Sequence, residues 1–259
     1  MTPTLRVWRT LIRGSFLEMV RRKELYVLVI LTVLMVVGAY SFTFFGVSGL
    51  EIFVKDMAFT AVGLFSTILG VTIATRQIPE EISRRTIYPL LARPISRAQL
   101  LTGKFVASWV LTLASFALLL GVSLLVLTLL RLPLKVILIQ YIWLKAVSFL
   151  WLSAICICLS VYVSSSAAFT LGLLLALGSG AFTRSFLLAY GDGVPILNWL
   201  IAILYGFLPH FTLFDIARKV VYGWDPIAWW IPLALTVYGI AISAFWLKLA
   251  LNRFEKMAL

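Results

Sequence analysis

An all-α integral membrane fold of six transmembrane helices is predicted by three observations. Hydrophobic residues make up 62% of the 259-residue chain and charged residues only 12%, against about half and about a quarter in soluble domains. The apolar residues gather in runs of about 20, the length a helix needs to cross a bilayer. The basic residues gather between those runs, and more heavily on one side than on the other.

The elements follow in order. Residues 4–24 form an amphipathic helix, with Leu5, Trp8, Leu11, Ile12, Phe16 and Met19 on one arc and Arg6, Arg9 and Arg13 beside it. Such a helix lies in the membrane interface, and Arg6, Trp8, Arg9 and Arg13 are its interfacial anchors. The six spans are expected at about 26–45, 57–75, 105–130, 141–163, 167–190 and 227–251. Residues 46–56 read as a short polar stretch, 76–104 as the most polar segment of the chain, and Ser164, Ser165 and Ser166 as a tight turn. Residues 191–228 are mixed in polarity. The whole is one transmembrane domain, 1–259, and nothing in it resembles a cleavable signal peptide or an internal repeat.

Orientation comes from the 22 Lys and Arg residues. Six lie before the first span, six in 76–104 and three near the C-terminus, leaving seven for the opposite side. Positive residues collect in the cytoplasm, so both termini and the 76–104 loop are expected there and 191–228 outside. The net charge of +12 is then explained by topology and lipid headgroups rather than by nucleic acid.

Several chemistries are excluded or weakened. The expected spans contain no Asp or Glu, and the chain has no H-E-x-x-H, no P-loop and no nucleotide-binding pattern. A membrane-embedded enzyme would need such groups. No ring of charges marks an ion path. Cys156 and Cys158 stand about 200° apart on a helix, which opposes a shared metal or disulfide. His210 is the only histidine and makes no metal site alone; between Pro209 and Phe211 it reads as structural or lid-forming. Lys145, about four residues inside its span, reads as a lysine that snorkels to the interface. Gly172, Gly178 and Gly180, with Ser179, read as a close-packing stripe, within the subunit or against a second copy. Tyr40, Phe42, Phe44 and Phe45 read as an interfacial aromatic belt.

The 76–104 segment carries the functional argument. Pro79 suits the first turn of a short helix, with Glu80 and Glu81 at its positive end. Pro89 interrupts that helix, and Ser96 with Gln99 form an S-x-x-Q capping box that starts the third span. The product is one or two short helices across the cytoplasmic mouth, presenting carboxylates, arginines and the apolar patch Ile87, Leu90 and Leu91. That shape suits docking of a soluble partner; an ordinary solvated charged loop is the plainer alternative.

The run Glu81-x-x-x-Arg85-Thr86-Ile-Tyr-Pro-Leu-Leu-Ala-Arg-Pro94-Ile-Ser96-Arg97, with Gly103-Lys104, resembles the cytoplasmic loop of type-2 ATP-binding-cassette (ABC) exporter permeases. It is most similar to the branch that includes the permease of the nitrous-oxide-reductase maturation transporter. Arg85 departs from that pattern, standing where many members have glycine. The amphipathic helix before the first span and the run Leu208–Arg218, with Val221-Tyr-Gly223, extend the similarity along the chain.

The resemblance implies that 76–104 holds a coupling helix seated in a groove of a separate ATPase subunit. By position it assigns Glu81, Arg84, Arg85, Thr86, Leu90, Leu91, Arg93, Pro94, Ser96 and Arg97 to ATPase coupling. Pro209, His210, Phe211, Asp215 and Arg218 become candidates for an external gate. It further implies two permeases with two ATPase subunits, no cofactor on this chain, ATP and Mg on the partner, and a prokaryotic cytoplasmic membrane. A periplasmic or accessory protein is a further implied partner. The alternative is an ATP-independent channel or membrane scaffold, which would share the spans and lack the coupling loop.

Overall fold

A computed structural model describes residues 14, 23–41, 50–83, 96–133, 135–189 and 209–257. Its long elements are α1 (Glu24–Ser41), α2 (Leu50–Arg76), α4 (Arg97–Leu129), α5 (Ile137–Tyr162), α6 (Ser165–Ala189) and α8 (Trp230–Glu255). Short α3 (Pro79–Ser83) follows α2. A 3-10 turn (Phe211–Phe214) and α7 (Ala217–Val221) precede α8. There is no strand among the described residues.

Five helical stretches are long and apolar enough to cross a bilayer: Glu51–Ser83, Arg97–Leu129, Ile137–Tyr162, Ser165–Ser185 and Trp230–Glu255. The apolar part of α1, Tyr26–Gly38, is shorter. At 1.5 Å per residue it reaches about 20 Å, less than the hydrocarbon thickness of roughly 30 Å. The expected first span runs on to 45, and 42–49 lie outside the described residues, as does nearly all of the amphipathic helix expected at 4–24.

The helices are longer than the apolar runs that mark them. The stretch 46–56, expected as a polar connection, is already helical from Leu50. The reason is local: Lys55 pairs with Glu51 one turn earlier, so both charges are carried on the helix surface. α4 starts at Arg97, well before the apolar run at 105, because Ser96 caps it. α5 starts at Ile137, about one turn before its expected start. Polar residues inside the spans are accommodated by their own backbone: the Thr67, Thr72, Thr75, Thr112 and Ser115 hydroxyls each donate to the carbonyl four residues earlier. In lipid such internal satisfaction replaces the missing water.

α5 is the centre of the bundle. It packs against α2, α4, α6 and α8, and most of its residues are buried. α6 and α8 lie at the periphery, with Leu171, Leu174 and Leu177 exposed on one and Leu233, Val237, Ile240 and Phe245 on the other. In a membrane chain such apolar faces meet lipid or another apolar helix. Small residues set the closest approaches. A Cβ at Gly239 of α8 would meet Val147 Cγ1 of α5 at 2.5 Å, and one at Gly172 of α6 would meet Cys156 Sγ at 2.9 Å. The Gly172 end of the predicted small-residue stripe thus packs within the subunit. Cys156 and Cys158 are both buried and free.

Candidate functional site: the two ends of the bundle

The bundle has two ends. At the loop end, α2 stops, α4 begins and α8 stops; at the far end, α5 and α8 begin. The sequence-predicted residues divide between them.

At the loop end, two turn residues follow Arg76, and Pro79 opens α3 with Glu80 and Glu81 in its first turn. Glu81 forms an ion pair with Lys104 of α4. Both side chains are largely withdrawn from solvent, at 20% and 8% exposure. Lys104 stands two turns into α4, beyond the loop, so the pair bridges the loop's two flanks.

The α4 start is the capping box expected from the sequence. The Ser96 hydroxyl accepts from the Gln99 amide at 3.2 Å, and the Gln99 side-chain oxygen accepts from the Ser96 amide at 3.1 Å. Two otherwise orphaned N–H groups are satisfied reciprocally. Arg97, the first residue of α4, reaches to the end of α8. Its Nη1 donates to the carbonyls of Phe254 (3.2 Å), Glu255 (2.8 Å) and Met257 (2.8 Å). Phe254 and Glu255 belong to the last turn of α8, where carbonyls run short of backbone donors and the helix dipole also favours a cation. The serine turn lies at the same end, where the Ser165 hydroxyl donates to Thr75 O of α2 at 3.4 Å.

Of the residues assigned to coupling, the structure places Glu81, Ser96 and Arg97. Arg84, Arg85, Thr86, Leu90, Leu91, Arg93 and Pro94 lie outside the described residues, as do the interfacial anchors Arg6, Trp8, Arg9 and Arg13.

At the far end, the segment from Pro209 does not rest on top of the bundle. It enters it. Pro209 and His210 are buried, as are Phe211 and Phe214. The Trp151 ring lies 4.9 Å from that of Phe211 and 5.9 Å from that of Phe214, centroid to centroid. Tyr238 of α8 closes the cluster, 5.7 Å from Trp151 and 6.4 Å from Phe214. Trp151 is about 20 Å along α5 from its start. Non-helical backbone at that depth is tolerated because protein surrounds it. Thr212 also meets α6, where a Cβ on Gly180 would touch it at 3.3 Å.

Asp215 follows this turn and forms an ion pair with Lys145 of α5, 2.8 Å from Oδ2 to Nζ. Lys145 had been expected to snorkel. α5 begins at Ile137, so Lys145 stands two turns from the helix start. Its ammonium meets the Asp215 carboxylate. Its ammonium also lies 5.9 Å from the Tyr141 ring centroid. The second Asp215 oxygen accepts from the Ala217 amide at 3.0 Å, starting α7. Burial alone would raise the Asp215 carboxyl. The adjacent Lys145 charge and hydrogen bond, the Ala217 amide and the Arg218 charge outweigh it and hold the carboxyl below its ordinary value. Arg218 itself is exposed on α7.

Three contributors at these ends went unread in the sequence. Lys104 was read only as part of a motif. Gln140 binds the backbone of Ile227 in both directions, donating at 2.7 Å and accepting at 2.8 Å, and so fixes the entry to α8. Gly239 allows α8 to approach Val147 and Phe214. A lone Gln near the start of an apolar run was the available signal for the second of these; the other two are visible only once the helices are packed.

A family model described as ABC-2 family transporter protein matches residues 11–180. The match takes in α1 to the middle of α6 and the whole 76–104 segment. No curated protein matches the chain.

Proposed function

The chain belongs to the ABC-2 family of transporter proteins, a membrane component of an ABC transporter, and on that premise we propose that it is the permease subunit of an exporter driven by a separate ATPase. The observation that carries this reading is the family match across residues 11–180, which spans the segment proposed to dock the ATPase. In this reading six helices cross the cytoplasmic membrane of a prokaryote, both termini and 76–104 face the cytoplasm, and 191–228 faces outward. Two copies of the chain pair with two ATPase subunits, which hold the ATP and Mg; this chain binds neither. The loop motif favours the branch of the nitrous-oxide-reductase maturation permease, with a periplasmic or accessory protein as a further partner.

The local geometry supports the loop as a docking element. Its flanks are held to one another by Glu81–Lys104 and to the α4 axis by the Ser96 cap. Force applied between them therefore reaches a span rather than being lost in slack chain. Leu90 and Leu91 would fill the ATPase groove, while Arg84, Arg85 and Arg93 would make charge-assisted contacts. At the opposite face, Pro209, His210, Phe211, Asp215 and Arg218 form the outer gate.

The test uses the purified complex of the chain with its ATPase. Leu90→Asp and Arg85→Glu are each expected to leave the permease folded and to remove the permease's effect on ATP hydrolysis. Normal assembly and normal stimulation in both variants would reject the docking role. An ATPase that never associates with the wild-type chain would favour the channel or scaffold reading.

A further inference from the structure

We propose that Lys145 is the centre of a binding site for an anionic oxygen group, a phosphate or a carboxylate, which takes the place of Asp215 on its ammonium. The proposal deepens the reading of 209–218 as an outer gate and rests on it for its purpose; the binding itself concerns this chain alone.

Donors exceed acceptors around Lys145. A lysine ammonium carries three N–H donors. Among the described residues it uses one, toward Asp215 Oδ2 at 2.8 Å. Tyr141 stands one turn earlier on α5, with its ring beside the same ammonium. Its hydroxyl is buried and has no hydrogen-bond partner. Ser66 of α2 is in the same condition, fully buried and unpartnered. Its neighbours in α2 are not: Thr67, Thr72 and Thr75 all donate to carbonyls of their own helix. Buried donors without acceptors are costly, and in a membrane span a charge among them marks function before structure. An ion pair whose only task was to hold the bundle together would leave fewer of them over.

Space for an acceptor lies on the α2 side. Gly63 faces Lys145, and a Cβ there would meet Nζ at 3.7 Å and no other side chain within 4 Å among the described residues. Gly63 is itself only half-buried. Ser66 lies one turn further along the same face of α2. The ammonium, the phenol and the serine hydroxyl therefore border one region, which the absent side chain of a glycine leaves unfilled.

The two partners of the ion pair differ in freedom. Lys145 is fixed in α5, at the centre of the bundle. Asp215 sits on the backbone between the 3-10 turn and α7, and its side chain is 45% exposed. The Arg218 charge already acts on it. A displaced Asp215 thus turns to water and to a second cation. Exchange of one anion for another never strands the lysine, which is the costly way to open a buried pair. These features select the ligand class. A cation is repelled by the ammonium, and a neutral group cannot outbid a carboxylate. An oxyanion brings both the charge and several acceptor atoms.

The test uses the chain purified in dodecyl maltoside, an uncharged detergent. Titration calorimetry compares dodecyl phosphate and dodecanoate with inorganic phosphate and acetate, and with dodecyltrimethylammonium as the cationic control. At least one of the four anions should bind and the cation should not. Binding by the free ions names a soluble ligand; binding by the dodecyl forms alone names an amphiphile's headgroup. Lys145→Gln should weaken binding about tenfold or more, whereas Asp215→Asn should tighten it about tenfold by removing the competitor. A merely structural pair predicts that both variants change binding in the same direction. Gly63→Leu fills the space and leaves the ion pair, so it should also weaken binding, and it serves if Lys145→Gln fails to fold. In the wild type the bound anion should lower protection of 209–223 against hydrogen exchange. The proposal is overturned if no anion binds, if Lys145→Gln or Gly63→Leu binds as well as the wild type, if Asp215→Asn binds more weakly, or if binding leaves 209–223 unchanged. An ATPase that never associates with the chain would reject the permease reading and leave the anion site standing.

Discussion

The two ends of the bundle use the same device in two degrees of burial. At each end a lysine two turns into a span is paired with a carboxylate from a short connecting element: Lys104 with Glu81, Lys145 with Asp215. Both lysines are almost fully withdrawn from solvent. The carboxylates differ. Glu81 is 20% exposed, Asp215 45%. A charge pair shielded from water is costly to break, because the remaining partner is stranded. A carboxylate open on one side is screened there and makes the weaker pair, although the lysine at each end is equally enclosed. The difference separates a fixed joint at the loop end from a releasable latch at the far end. That division suits a permease in which force enters at one face and an opening forms at the other.

The largest effect expected from this comparison is at Glu81. Glu81→Leu leaves the Lys104 ammonium buried without its partner and should cost about 3 kcal/mol of stability, measured by denaturation in detergent. Glu81→Leu combined with Lys104→Met should recover most of that, since an apolar pair of similar volume needs no compensation. If the double variant is as unstable as the single one, the pair is not what holds the loop flanks.

How much of this was legible in the sequence depends on the range of the interaction. The centres of the helices were legible, because lipid demands apolar runs of fixed length. Their ends were not, since Glu51 and Lys55 satisfy each other inside a helix that looks polar by composition. The Ser96–Gln99 box was legible because its logic is confined to four residues. The Lys145–Asp215 pair was not, because its partners are 70 residues apart and only the packed bundle brings them together. Asp215 was singled out by motif and Lys145 by its place in an apolar run, yet nothing local joined them. The inward course of 209–216 was hidden for the same reason. Pro209, His210, Thr212 and Asp215 read as an exterior loop, while the burial of Phe211 and Phe214 against Trp151 decides the matter.

A smaller effect is expected where α8 approaches the latch. Gly239→Ala places a methyl 2.5 Å from Val147 Cγ1. Val147 is branched at Cβ and has little freedom to turn away, so α8 must shift, at a cost of about 1–3 kcal/mol. Gly121→Ala is the control. Nothing lies within 4 Å of its added methyl, and the change should stabilise by about 0.5–1 kcal/mol through helix propensity alone. Thermal unfolding of the two variants compares them directly. Equal effects would mean that the α5–α8 approach at Gly239 is slack, and that α8 has no firm hold on the Phe214 turn.

The smallest effect, and the one most specific to the latch, is its dependence on pH. The Asp215 carboxyl is held below its ordinary value of 3.8 in the folded protein. A group with a lowered folded pKa stabilises at pH above its unfolded value and loses that contribution as pH falls through the folded one. Protonation of Asp215 leaves Lys145 without its charged partner. The latch is therefore expected to be unaffected between pH 5 and pH 8, roughly, and to weaken below about pH 4. Protection of 209–223 against hydrogen exchange, taken relative to the intrinsic exchange rate at each pH, should stay constant over the first range and fall in the second. Asp215→Asn should raise exchange at neutral pH and flatten the acid response of that segment. Its cost should be about 1 kcal/mol, because the amide that replaces the carboxylate keeps an oxygen that can accept from Lys145. Protection that falls with acid to the same extent in Asp215→Asn would assign the acid response to another carboxylate. A cost at Asp215 as large as that at Glu81 would erase the distinction between joint and latch.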